Sequence, residues 1–224
     1  MTRLPERWVL ASTSPRRRML IQLLEHPVEI TPVSIDETPE PWEAPAACAA
    51  RLALAKAMAA AQQAPDALIL AADTVVELEG KILGKPEGVP EARAMLQALR
   101  GRSHAVHTAV ALYHPDRREC LLEVATTWVK MRAYTDEEIE AYLATGDPFD
   151  KAGAYAIQHV GFRPAEEVTG CYAAVVGLPL CHLARALRRW GWSPPAALPE
   201  RCQIALQHRC LVYPEIFPNP NQPD

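Results

Sequence analysis

The sequence predicts an α/β domain built on a mixed sheet with flanking helices. Three observations carry this. Strand-like and helix-like runs interleave along the whole chain. The strand-like runs are short and apolar, whereas the helix-like runs are rich in Ala and Leu with apolar residues three and four apart. The chain has 224 residues, 49% of them hydrophobic, enough for one sizeable domain or two small lobes that share a cleft.

Residues 8–11 read as a short buried strand. A helix opens at Ser14, a favoured N-cap, and Pro15 suits the first helical position because its missing N–H costs nothing there. Met19, Leu20, Leu23 and Leu24 continue it at helical spacing. The polar, proline-rich run 30–45 reads as a loop. Residues 46–63 are Ala-rich and predict a helix by propensity. Residues 67–76 predict a strand, with a short hairpin through Ile82 and Leu83 after it. Residues 91–99 form a helix closed by Gly101. Two longer strands, 104–113 and 121–131, flank the turn-like HPDRR. Thr135 and Glu138 make a capping box for the next helix, which Gly146 ends. Residues 171–176 read as another strand and 180–190 as a last helix. The chain thus divides into a domain over 1–192 and a proline-rich extension over 193–224. Parts of IALQHRCLVY in that extension can pack, while FPNPNQPD reads as disordered.

Composition excludes several classes of function. The formal net charge is -4, so nothing global marks a nucleic-acid-binding surface. No apolar run reaches the roughly 18 residues of a membrane-spanning helix, and the opening MTRLPERWVLAS does not read as a signal peptide. The six cysteines form no CxxC and match no common zinc module, which points to a reducing cytoplasm.

Four segments carry chemistry. In Ser12-Thr13-Ser14-Pro15-Arg16-Arg17 a strand ends and a helix begins, which makes an anion site; the Arg fork matches phosphate oxygens. The competing reading is a solvated basic helix start. Asp73 follows Ala71-Ala72 at the end of an apolar strand, where a carboxylate needs a partner or a task; a turn-forming Asp is the alternative. Lys85 stands between Gly84 and Pro86 on a constrained loop, as a phosphate contact or a surface lysine. The segment DKAGAYAIQ, residues 150–158, ends on Gln158, whose amide both donates and accepts, as the edge of a pyrimidine requires. His104 and His107 fall on opposite faces of a strand and read as structural.

Taken together in this order, these segments resemble the Maf family. The matching pieces are LASTSPRRRML (10–20), SIDET (34–38), RLALAKA (51–57), AADTVV (71–76) and ILGKP (82–86). They continue through Met95 to Leu112, DKAGAYAIQ (150–158) and VVGLPL (175–180). The resemblance covers residues 8–190.

That resemblance implies two lobes around a deep cleft, a fold like that of the inosine triphosphate pyrophosphatases. It implies hydrolysis of a nucleoside triphosphate between the α and β phosphates, with a divalent cation, Mg²⁺ or Mn²⁺, and a homodimer. Asp73 takes the place of the proton acceptor. Ser12, Arg16, Lys56 and Lys85 take phosphate-side places, and Glu37, with Asp73, lies near the metal. Arg17, Thr74 and Gln158 match the branch that acts on dTTP and UTP, although SIDETP is similar to the branch that acts on 7-methyl-GTP. The family's association with septum arrest leaves a nucleotide-binding regulator of cell division as the rival class. Thr169-Gly170-Cys171-Tyr172 departs from the usual N-G-S-Y pattern, with a weaker hydrogen-bonding Cys that could alter base contacts or dimer packing. The tail after Trp192 has no counterpart in the family pattern.

Overall fold

The computed structural model describes residues 4–218. A seven-stranded mixed sheet has the order β2-β1-β3-β5-β6-β7, with β4 paired to the free edge of β3. β1 (Trp8–Ala11) is buried at every position, as expected of an interior strand in parallel pairing. It lies between β2 (Glu29–Ile30) and β3 (Leu68–Leu78), parallel to both. β3 runs antiparallel to β4 (Lys81–Leu83) and to β5 (Ser103–His114). β5 then pairs with β6 (Glu119–Met131), and β6 with the edge strand β7 (Ala165–Thr169).

Two helical layers cover the sheet. α1 (Pro15–Ile21) begins on Ser14, whose hydroxyl accepts from the Arg17 amide, with Pro15 in the first turn. α2 (Pro45–Gln63) lies on the opposite face. Its Ala49, Ala53, Ala57 and Ala60 are fully buried and meet Ala11, Ala71, Ala109 and Ala111 of the sheet. Small side chains on both surfaces bring this helix close to the strands. α3 (Val89–Leu99) and α4 (Asp136–Leu143) form a second lobe around the far ends of β3, β5 and β6. The Thr135–Glu138 capping box starts α4, and Gly101 and Gly146 take the left-handed conformation after their helices.

The 171–176 segment is a correction. It forms no strand; Tyr172–Val176 is a short helix, α5, closed by Gly177 at φ 117°. Its two alanines favour helix, and Gly177 supplies the left-handed stop. The last strand is the preceding AEEVT of β7, whose polar outer positions hide the strand pattern. α6 (Leu180–Arg189) follows on the α1 face.

The extension packs. α7 (Leu198–Leu206) and α8 (Tyr213–Ile216) lie against α6, and Leu198, Leu206 and Phe217 are buried in the core on that face. The Arg188 guanidinium sits 3.5 Å over the Phe217 ring. Phe217 thus departs from the disorder expected of FPNPNQPD, and residues 219–224 lie outside the described residues.

Candidate active site

A break in the pairing of β3 sets the site. On one edge, β1 ends where Ala11 pairs with Ala71, and β4 begins only where Leu83 pairs with Val76. Between them residues 72–75 keep β5 on one side and leave the other edge open. This notch floors a cavity of about 520 Å³ between the lobes.

Alternation along β3 divides its chemistry. Ala71 and Val75 pack toward α2, and Ala72 toward the α1 face. Asp73 therefore points to the α2 side and Thr74 to the α1 side. Both line the same cavity, because the open edge admits it to both faces.

On the α2 side, Lys56 Nζ lies 2.5 Å from Asp73 Oδ1 and 2.6 Å from Glu37 Oε1. Lys85 Nζ lies 3.0 Å from Glu37 Oε2. Burial by itself raises the Glu37 carboxyl; the hydrogen bonds from Lys56 and Lys85 outweigh it and hold the group down at about 2. Glu37 is thus ionised at neutral pH. Lys85 reaches the site because the Gly84 carbonyl accepts from Gly153 N at 3.0 Å, which fastens its loop to the 150–158 segment. Gly153 itself has φ 69°, and a Cβ there would meet Val76 at 3.0 Å.

On the α1 side, Arg17 Nε donates to the Gly177 carbonyl at 2.8 Å and Nη2 to Thr74 Oγ1 at 3.2 Å. Burial lowers the Arg17 pKa, with Asp73 acting in the opposite sense. Ser12 Oγ accepts from Ser14 N at 3.1 Å and shapes the loop into α1. Arg16 faces the cavity and has no ion-pair partner among the described residues. Gln158 lines the opposite wall. Its loop is tied down by Ala156 N donating to Tyr142 Oη at 2.9 Å, and by that hydroxyl donating to Asp147 Oδ2 at 2.6 Å.

The cavity thus gathers Ser12, Arg16, Arg17, Glu37, Lys56, Asp73, Thr74, Lys85 and Gln158, residues from six separated segments. It also gathers Lys151, which sequence reasoning passed over: a buried lysine held by Asp147 and Asp150 at 2.9 and 2.6 Å. Its only signal was the Asp-Lys pair that opens the segment. Cys171 lies elsewhere. It is buried beside the extension, where burial pushes its thiol up to about 11, so its exchange for Ser does not touch the cavity. His104 and His107 face opposite sides of β5, bonded to Tyr155 and to Glu77 and Thr126 respectively, and neither lines the cavity.

Among the described residues no group of three or more His, Cys, Asp or Glu is spaced to hold a metal unaided. What the cavity offers is a pair of carboxylates that share one cation, the Lys56 ammonium. Oxygen donors of this kind suit a hard divalent ion that completes its shell with water and phosphate. The arrangement as a whole can neutralise a polyanion, orient a water against a carboxylate, and present polar groups to a planar ligand.

A family model described as Maf-like protein matches residues 7–190. A dTTP/UTP pyrophosphatase of Thermomicrobium roseum is 50% identical over 207 residues, 92% of this chain and 94% of that protein. One from Halalkalibacterium halodurans is 47% identical over 185 residues, covering 83% and 96%. One from Salinibacter ruber is 48% identical over 181 residues, covering 80% and 89%. An alignment of 207 residues has to run past Trp192 into α7, so the extension does have a counterpart in the Thermomicrobium relative. With a match this long and relatives near half-identical along almost their whole length, the chain belongs to the Maf family.

Proposed function

We propose that the chain is a nucleoside triphosphate pyrophosphatase that hydrolyses dTTP and UTP to the monophosphate and pyrophosphate. The observation that carries this is the Lys56 ammonium shared by Asp73 and Glu37 in a cavity also lined by Arg16 and Lys85. A site that only binds triphosphate has little use for carboxylates beside the phosphates; a site that hydrolyses it needs one. The names of the relatives support the same reading.

Asp73 Oδ1 is engaged by Lys56, which leaves Oδ2 to orient a water and take its proton. The water oxygen attacks the α-phosphorus, the bond to the bridging oxygen breaks, and pyrophosphate leaves. Ser12, Arg16, Lys56 and Lys85 hold the phosphates and stabilise the charge that develops on the leaving group. A divalent cation, Mg²⁺ or Mn²⁺, would be held by Glu37 and Asp73 and would supply further charge neutralisation at the phosphate oxygens. Arg17, Thr74 and Gln158 select the base.

The same reading takes the protein as a homodimer. On β6, Leu122, Val124 and Trp128 alternate outward at 41%, 37% and 54% exposure. Leu122 and Val124 pair with Ala111 and Ala109, so the stripe extends the face that α2 covers, beside exposed Leu54 and Met58. An exposed apolar stripe of this kind, interrupted by Thr126, supports a protein contact. No helix among the described residues is long and apolar enough to cross a membrane. Six free thiols support a reducing cytoplasm, and the net charge of -4 supports a small-molecule substrate over nucleic acid.

Pyrophosphate release from dTTP, UTP, CTP and 7-methyl-GTP with Mg²⁺ or Mn²⁺ tests the proposal. Strong turnover of dTTP and UTP is expected. Turnover of 7-methyl-GTP alone would move the chain to the other branch. No turnover by a folded protein would favour the nucleotide-binding regulator.

A further inference from the structure

Thr74 on β3 and Thr108 on β5 are cross-strand partners, with their hydroxyl oxygens 2.9 Å apart. Thr108 is fully buried and does not line the cavity. Its oxygen also lies 2.7 Å from the carbonyl oxygen of Ala174 in α5. A carbonyl oxygen only accepts, so the single hydrogen of the Thr108 hydroxyl is committed to Ala174. The bond between the two threonines must then use the hydrogen of Thr74. Arg17 has only donors, and its Nη2–H enters a lone pair of Thr74. The relay therefore runs in one direction, from Arg17 to Thr74 to Thr108 to Ala174.

A hydroxyl has one hydrogen and two lone pairs. In Thr74 the hydrogen goes to Thr108 and one lone pair takes Arg17. What remains for a ligand is one lone pair, on a half-buried oxygen that faces the cavity.

We propose that Thr108 is a positioning residue for base selection: by accepting the hydrogen bond of the Thr74 hydroxyl it fixes Thr74 as an acceptor toward the cavity, which selects a base edge bearing a ring N–H. Uracil and thymine carry N–H between their two carbonyl groups. Cytosine carries a lone pair at that ring nitrogen and would set it against the lone pair of Thr74. A site built to accept a hydrogen bond rejects a ligand that has no hydrogen to give, because two acceptors then face each other unpaired. The inference deepens the pyrophosphatase reading and rests on the cavity holding a pyrimidine nucleotide.

Thr108→Val keeps shape and removes the acceptor. The Thr74 hydroxyl is then free to turn its hydrogen toward the cavity, where it can meet the cytosine lone pair. The test compares kcat/KM for UTP and CTP in wild type, Thr108→Val and Thr108→Ser. Both constants share one enzyme concentration, so their ratio does not depend on how much of a variant folds. The UTP preference should fall on the order of tenfold or more in Thr108→Val and be retained in Thr108→Ser. An unchanged ratio in Thr108→Val, or an equal loss in both variants, overturns the proposal. Calorimetric binding of UTP and CTP analogues that resist hydrolysis between the α and β phosphates gives the same ratio without turnover. If the wild type binds selectively but turns over nothing, and Thr108→Val loses the selectivity, the pyrophosphatase reading falls and the role of Thr108 stands. A wild type that discriminates in neither assay overturns the role of Thr108.

Discussion

The ammonium of Lys56 lies 2.5 Å from Oδ1 of Asp73, and each side chain is only about a tenth exposed. This places a carboxylate and its counter-charge on facing elements, α2 and β3, joined by nothing but tertiary packing.

Removing one partner should therefore cost both stability and activity. Lys56→Met leaves Asp73 and Glu37 without their shared cation and should lower stability by about 3 kcal/mol in urea unfolding. Adding Asp73→Asn to it should recover part of the loss, because no buried charge is then left unpaired. Asp73→Asn alone should keep nucleotide binding while turnover falls on the order of 10²- to 10⁴-fold. A fully active Asp73→Asn enzyme would remove Asp73 from the mechanism.

Gly177 should tolerate no side chain. Its φ is 117°, and a Cβ would lie 3.3 Å from Arg17 Nε and 3.6 Å from Thr74 Oγ1. Gly177→Ala should cost about 1–3 kcal/mol from backbone strain. It should also lower kcat/KM for UTP and dTTP, since Arg17 loses its seat on the Gly177 carbonyl. Thermal melts and initial rates on the same preparation check both, and wild-type kinetics would show that Arg17 has room to spare.

Acid should destabilise the fold through two buried imidazoles. Burial pushes His104 and His182 down to about 4, the latter with help from Arg185. Both fall below the unfolded value of about 6.5, so the unfolded chain binds more protons as pH falls. The stability these groups lend is complete above pH 6.5 and drains away between there and pH 4. His104 Nε2 is 2.7 Å from the Tyr155 hydroxyl, and Nδ1 has no partner among the described residues. His104→Gln should shrink the difference between urea midpoints measured at pH 7 and pH 4.5; an undiminished difference would show that other groups control acid unfolding.

The extension should be part of the folding unit. A chain ending at Trp192 loses Leu198, Leu206 and Phe217 from the core and bares part of α6. Each buried apolar side chain contributes about 2 kcal/mol, so the truncated protein should melt well below the full chain or aggregate. Equal melting temperatures would make residues 193–224 a dispensable appendage.

Much of this was legible in the sequence, for physical reasons that differ by element. α2 announced itself through alanine propensity and β1 and β3 through unbroken apolar runs, since interior strands bury both faces. The capping box of α4 was local chemistry and needed no tertiary knowledge. α5 misled and β7 gave no signal, because a five-residue helix has no turn-to-turn periodicity and an edge strand shows polar residues outward. Among the site residues, Asp73 and Lys85 stood out as charges in apolar or constrained surroundings. Thr108 gave no such sign: a threonine inside a strand looks like any other β-former, and its role exists only because Thr74 and Ala174 flank it in space.

Asp73 and Thr74 serve opposite faces of a strand only because they are consecutive and the pleat alternates. Substitutions there can retune either residue separately, but the spelling of the strand is fixed in length. With the pairing of Ala11 and Ala71 held, one residue inserted or deleted between Ala71 and Asp73 would exchange odd for even, deliver the carboxylate to the side that reads the ligand, and turn the hydroxyl toward Lys56. The notch therefore depends on the number of residues in the strand as well as on their identity.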